Sequence, residues 1–206
     1  PVVHVAGTNG KGSVCAMVDS IARSCGRRTG LFTSPHLIDF RERIKVSGVE
    51  IPEERCADML TTLREICERM ETHPTFFEIA LAVAMRWFRE RGCEIIILDT
   101  GMGGRLDATT AVPADVCVIT PIGLDHMQWL GETVELIAAE AQAQQQRLRP
   151  RRGVEGAGFV QGLVGFGHGV AVVGGFGGPQ RLLRALQWQV AFEHEVGGAV
   201  GGFRPV

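Results

Sequence analysis

The 206-residue chain contains no tyrosine, and its 3 Trp and 10 Phe bring the aromatic share to only 6%. It also lacks an excess of charge of either sign, with 21 Lys+Arg against 23 Asp+Glu and a formal net charge of −2. A chain so balanced offers no basic field to a nucleic acid or to an anionic membrane surface. No apolar run reaches the roughly 20 residues of a membrane-spanning helix, and no signal-peptide pattern precedes the first strand-like run. The six cysteines (Cys15, Cys25, Cys56, Cys67, Cys93 and Cys117) are scattered, without a C-x-x-C pair or a Cys/His cluster at zinc spacing. That excludes a zinc ribbon and argues against a disulfide framework. The expectation is reduced, mostly buried thiols in a cytoplasmic protein.

The absences are unevenly spread. Residues 141–206 contain no Lys, Asp, Asn, Ser, Thr, Cys, Ile or Met, although residues 1–140 use every one of them. The same tail holds 15 of the 27 Gly, and 7 basic against 3 acidic residues, whereas residues 1–140 hold 14 basic and 20 acidic. The near-neutral total is therefore a cancellation. Two such compositions set a boundary at Glu140/Ala141, and predict one domain over 1–140 followed by a Gly/Arg/Gln-rich tail over 141–206. Glycine-rich chain loses much entropy on ordering and has little side chain to bury, so the tail is expected to be irregular and to add nothing to the domain's sheet. Only Gln180 to Glu195 could form a helix there. The chain starts at Pro1 and enters a β-branched run at once, so a preceding segment is expected to be missing.

Residues 1–140 read as strands alternating with helices. Val2 to Ala6 is a short strand, followed by the glycine loop Gly7-Thr8-Asn9-Gly10-Lys11-Gly12-Ser13 and by Val14, Met17, Val18, Ile21 and Ala22 at helical spacing. Thr29 to Thr33 is a second strand and Phe40 to Ile51 a hairpin turning at Gly48. Pro52-Glu53-Glu54 opens a helix to about Met70, since proline and carboxylates suit a helix start. Thr75 with Glu78 forms a capping box for another. The faces carrying Leu60, Leu63, Ile66 and Met70, and Ile79, Val83 and Trp87, are expected in the core. Ile95 to Leu98 and Val116 to Thr120 are apolar runs suited to strands buried on both sides of a parallel sheet, and Glu132 to Glu140 opens a last helix. The fold class is α/β, a mostly parallel sheet with flanking helices of the P-loop NTPase type, whose ligands sit beyond the carboxyl ends of the strands.

The glycine loop carries the strongest chemical signal. Its backbone N–H groups and the helix start make a nest for phosphate oxygens, Lys11 can neutralise phosphate charge, and the Ser13 hydroxyl can ligate Mg²⁺. It is a variant of the common phosphate loop, because Gly12 separates the Lys from the hydroxyl. Asp99 ends the buried strand, where a metal-holding carboxylate is placed beside such a loop. Asp125-His126 follows the next strand, on the same edge, and could ligate a metal or orient a phosphate. Ser34, in Thr33-Ser34-Pro35-His36, is a weaker candidate.

Together these segments, with Glu42-Arg43-Ile44, Thr75-Phe76-Phe77-Glu78, Gly101-Met102-Gly103-Gly104-Arg105-Leu106-Asp107-Ala108-Thr109 and Ile122-Gly123-Leu124-Asp125-His126, resemble in order and spacing the bacterial folylpolyglutamate synthase / dihydrofolate synthase group of the Mur ligase superfamily. The resemblance covers residues 1–140. It implies a monomeric, cytoplasmic ATP-dependent ligase that joins L-glutamate to dihydropteroate or a folate through an acyl phosphate. By position, it assigns Asn9, Gly10, Lys11, Gly12 and Ser13 to ATP, and Ser13, Ser34, Asp99 and His126 to Mg²⁺. It assigns Thr75, Phe76, Phe77, Glu78, Leu106, Asp107 and Ala108 to the pterin substrate, and catalytic roles to Lys11 and His126.

The chain also departs from that family's pattern. Asp99 stands where the family usually has Glu, and Thr110 where it has Asn. Ala141 takes the place of the lysine that the family carbamylates to hold a second magnesium ion. From Ala141 onward the resemblance ends, which suggests a reading-frame shift and a truncated, inactive ligase. A nucleotide-binding fragment without turnover and a cell-wall Mur ligase are the competing readings.

Overall fold

The structure, a computed structural model, describes residues 1–143, 160–164 and 170–174, the last two stretches by backbone alone. Its elements are β1 (Val2–Ala6), α1 (Lys11–Ser24), β2 (Thr29–Phe32), β3 (Ile44–Val46), β4 (Val49–Glu50), α2 (Glu53–Cys67), α3 (Phe76–Glu90), β5 (Ile95–Asp99), β6 (Val116–Ile119), α4 (Met127–Leu130), α5 (Val134–Ala143), β7 (Val160–Val164) and β8 (Val170–Gly174). Two 3-10 turns, Phe40–Arg43 and Ala108–Ala111, precede β3 and β6.

The strands form one sheet in the order β4-β3-β2-β5-β1-β6-β8-β7. The central four, β2, β5, β1 and β6, run parallel, so the segments after them emerge on one edge. β3 and β4 are antiparallel additions joined at Ser47-Gly48, where both residues have positive φ. Side chains alternate across a strand, and β1 divides accordingly. Val5 packs with Cys15, Leu31, Ile97 and Val118 on the α1 side. Val2 joins Phe32, Leu98, Met59, Val83, Trp87 and Phe88 on the side of α2 and α3. The two layers on a parallel sheet follow from the crossover helices, which must cover both faces.

Two expectations need correction, one on α2 and one on the tail. Ile66 and Met70 are 52% and 49% exposed: α2 packs against α3 and turns Cys56, Met59 and Cys67 inward, with Leu60 and Leu63 half-buried beside them, while Met70 lies beyond the end of the helix. α5 runs through the composition boundary to Ala143 and buries Ala141. The tail does extend the sheet: β8 pairs antiparallel with β6, with Val118 opposite Val172. The β-branched run Val170-Ala171-Val172-Val173 suits a strand, and the outer side of β6 offers it a row of backbone groups. The irregular character expected for the rest of 144–206, and the helix within 180–195, lie outside the described residues. The cysteines are free, with Cys15, Cys56, Cys67 and Cys117 buried, Cys93 half-buried and Cys25 exposed.

His4 is buried in the middle of β1, and burial pushes its pKa down to about 4, against a backbone hydrogen bond to Val112 that works the other way. A folded-state value below the unfolded one means stability that is complete above about pH 6.5 and is lost as pH falls toward 4. Relative to H4Q, the chain is expected to lose about 2 kcal/mol more unfolding free energy between pH 7.5 and pH 4.5. Urea unfolding of both proteins at the two pH values measures it, and parallel pH dependences would exclude His4 as the source.

Candidate functional site

The site begins where β1 ends. Gly7 takes φ 130° and lies so close to Thr120 that a Cβ would stand 2.8 Å from the Thr120 carbonyl oxygen, so no other residue fits. Gly10 takes φ 84° as N-cap of α1, where no side chain caps the helix and no acidic residue occupies the first turn. The positive end of α1 therefore has no carboxylate of its own to offset it. Asn9, Gly10, Gly12 and Ser13 are exposed, with Ser13 on the first turn. Lys11 opens α1, and its Nζ donates to the carbonyls of Gly7 at 2.8 Å and Thr8 at 3.2 Å, which folds the ammonium over the loop.

Asp99 closes β5 beside this loop and is 1% exposed. Its Oδ2 accepts the Ser34 N–H at 3.1 Å, from the loop after β2, while its Oδ1 is buried without a hydrogen-bond partner. Burial pushes the Asp99 pKa up to about 6; the Ser34 N–H and Lys11 oppose that shift and Asp107 adds to it. A buried, half-satisfied carboxylate near a phosphate loop is the hard oxygen donor that a divalent cation takes. Among the described residues, no three His, Cys, Asp or Glu side chains converge to hold a metal by themselves. A cation here would complete its shell with hydroxyls, water and phosphate oxygens, as Mg²⁺ does.

His126 is the left-handed N-cap of α4, at φ 50°, and is exposed. It lines one cavity with Gly7, Thr8, Lys11, Asp125 and Ala141. Of the four metal candidates, Ser34 and Asp99 are thus in direct contact through the Ser34 backbone, and His126 is joined to Lys11 by the cavity. Ala141, at the position where the resemblance implies a metal-holding lysine, forms part of that wall. Arg105 positions it: its Nε donates to both Glu140 carboxylate oxygens at 3.1 and 3.2 Å, and its backbone N–H reaches the Glu140 carbonyl at 3.1 Å.

The substrate candidates divide between exposed and structural positions. Glu78 is spent on its capping box, accepting from the Thr75 N–H and hydroxyl at 2.7 Å each. The Asp107 carboxylate is buried and accepts the Met102 N–H at 3.0 Å, the Thr109 N–H at 2.9 Å and the Thr109 hydroxyl at 2.6 Å, which shapes the glycine segment. Leu106 and Phe76 are exposed, Ala108 is half-buried, and Phe77 packs edge-on against Phe32 at 5.5 Å. Arg43 gained no role in the sequence reading. It is buried, donates Nε–H to His36 Nδ1 at 2.7 Å and stacks 5.3 Å from the centre of the Phe76 ring, which in turn meets Phe40. Its Glu42-Arg43-Ile44 motif was the available signal, but only packing brings Arg43 to Phe76.

Because the folded-state pKa of Asp99 is raised, its contribution to stability is present below the unfolded value near 3.8 and is lost as pH rises through about 6. Asp99→Asn should therefore stabilise the chain at pH 7.5, by an advantage that shrinks by about 2 kcal/mol at pH 4.5. Denaturant unfolding at the two pH values checks it, and an advantage independent of pH would contradict it.

Residues 5–145 match the model of the Mur ligase middle domain. A folylpolyglutamate synthase from Arabidopsis thaliana is 45% identical over 144 residues, which are 68% of this chain and 25% of that protein. The E. coli FolC structure in complex with DHPP and ADP aligns with a TM-score of 0.66 at 40% identity, over 69% of this chain and 34% of that one. A bifunctional folylpolyglutamate synthase/dihydrofolate synthase structure with Mn, AMPPNP and L-glutamate bound aligns at 0.64 and 37% identity, over 69% of this chain and 35% of that one. The chain thus spans about a third or less of these relatives. With five ordered motifs on the carboxyl edge of a mostly parallel sheet and the match extending from Val5 into α5, the chain belongs to the Mur ligase middle-domain family.

Proposed function

We propose that this chain is the nucleotide-binding part of an ATP-dependent ligase that joins L-glutamate to dihydropteroate or a folate in the cytoplasm, as a monomer. The observation that carries the reading is the glycine loop with Lys11 folded over it, set beside a buried Asp99 with one oxygen unpartnered.

In this reading the loop N–H groups and Lys11 hold the phosphates of ATP and draw charge from the γ-phosphoryl group. A substrate carboxylate oxygen takes that group and ADP leaves. The glutamate amine then attacks the carboxyl carbon, losing a proton, and inorganic phosphate departs. Ser13, Ser34, Asp99 and His126 would hold Mg²⁺, which supplies charge neutralisation at the phosphates. Phe76, Phe77 and Leu106 offer apolar surface to a pterin ring, and Thr75, Glu78, Asp107 and Ala108 shape the loops that present it. Names of the similar proteins support the substrate classes.

A second reading, nucleotide binding without turnover, is favoured by Ala141. Its methyl group ends where a lysine would project into the cavity with Lys11 and His126.

The test is glutamate-dependent phosphate release by the 206-residue chain with ATP, Mg²⁺ and dihydropteroate, alongside calorimetric titration with an ATP analogue. The ligase reading expects release that falls at least about 100-fold in K11A. Analogue binding without release supports the second reading, and displacement of activity to a UDP-linked sugar would identify a cell-wall ligase. Absence of nucleotide binding would overturn all three.

A further inference from the structure

We infer that Thr8 is a positioning residue that couples the phosphate loop to the segment carrying His126, so that bound nucleotide and divalent cation share one hydrogen-bonded clasp. The inference rests on the reading of Gly7–Ser13 as a nucleotide site, and gives the Thr8 side chain within that loop a role besides phosphate contact.

The clasp is specific. The Thr8 hydroxyl donates to the Gly123 carbonyl at 3.1 Å and accepts the Gly123 N–H at 3.0 Å, so one side-chain oxygen engages both peptide groups of a residue 115 positions away. Beside it, the backbone N–H groups of Thr8 and Asn9 both donate to the Pro121 carbonyl, at 3.1 and 3.3 Å. The backbone pair joins the two loops at Pro121 whatever side chain stands at position 8. The hydroxyl alone reaches past Pro121 to the glycine from which Leu124, Asp125 and His126 follow.

Glycine has the widest conformational range of any residue, so a free Gly123 would let the next three residues swing. A hydrogen bond to its N–H and another to its C=O fix both adjoining peptide planes. His126 then enters α4 in a left-handed conformation, with its N–H bonded to Asp125 Oδ1 at 2.8 Å, in the wall of the cavity that contains Lys11. The phosphate-binding N–H groups lie on one side of the clasp and His126 on the other. Loss of the hydroxyl leaves the loop's own N–H groups intact but releases the His126 segment.

Thr8→Val removes both hydrogen bonds at nearly constant volume, and Thr8→Ser keeps them. In the full 206-residue chain, amide exchange at Gly123 should accelerate at least about ten-fold in T8V and stay near the original rate in T8S. The gain in ADP affinity on adding Mn²⁺, taken as the ratio of affinities with and without the metal in each protein, should fall at least about five-fold in T8V and recover in T8S. A purely structural role would weaken both affinities together. An unchanged Mn²⁺ increment in folded T8V overturns the inference alone, and failure of the original chain to bind Mn²⁺–ADP overturns it together with the nucleotide reading. Should T8V not fold, exchange in the original chain decides: Gly123 must be protected and gain protection with Gly10 and Gly12 on Mn²⁺–ADP addition, and exchange of Gly123 at the unprotected rate overturns the clasp.

Discussion

The contact on which the rest depends is the approach of Gly7 to Thr120. β1 and β6 are parallel neighbours in register from Val3 to Ala6, and the register carries straight on into their loops. The Thr120 N–H and hydroxyl both donate to the Ala6 carbonyl, and Gly7 lies where any side chain would meet the Thr120 backbone. That closeness turns the chain sharply into the loop, aims the amides of the α1 start outward and brings Thr8 within reach of Gly123. The sheet's register, rather than any single polar contact, therefore determines where the loop's chemistry can stand.

Around that contact the site is built from charge that the fold keeps unneutralised. α1 has no acidic residue in its first turn, Lys11 is held by carbonyl oxygens, and Asp99 is buried with an oxygen to spare. Each arrangement costs stability in the free domain, since a buried carboxylate and an uncapped helix start are both unfavourable. Such costs cluster where a protein must offer charge to a ligand. Elsewhere the same residue types are spent on architecture: Asp107 and Glu78 are carboxylates of the proposed substrate regions, yet both are consumed in shaping backbone.

Much of the fold was legible because it depends on local rules. The capping box of Thr75 and Glu78, the proline and two glutamates before α2, and the β-branched runs of β5 and β6 each declare themselves within a few residues. The glycine loop and Asp99 could be placed on one edge because parallel strands bring their carboxyl ends together. What could not be read depends on distant pairs. Nothing near Thr8 announces Gly123, and nothing near Arg43 announces the Phe76 ring. Composition is a property of long windows, whereas a helix already started needs only alanine and glutamine to continue, so α5 runs past the compositional boundary at Glu140/Ala141 to Ala143. β8 was hidden for a similar cause: a short valine run within glycine-rich chain becomes a strand because an edge is there to receive it.

That last feature bears on how the sheet could grow. Parallel strands are joined by crossover connections, usually helical, and each needs a free strand edge to pair with. β8, lying antiparallel against β6, seals that side with chain running the opposite way. A parallel strand could pair with β6 on that side only by displacing β8, so the antiparallel valine run closes an edge that a parallel neighbour would otherwise need.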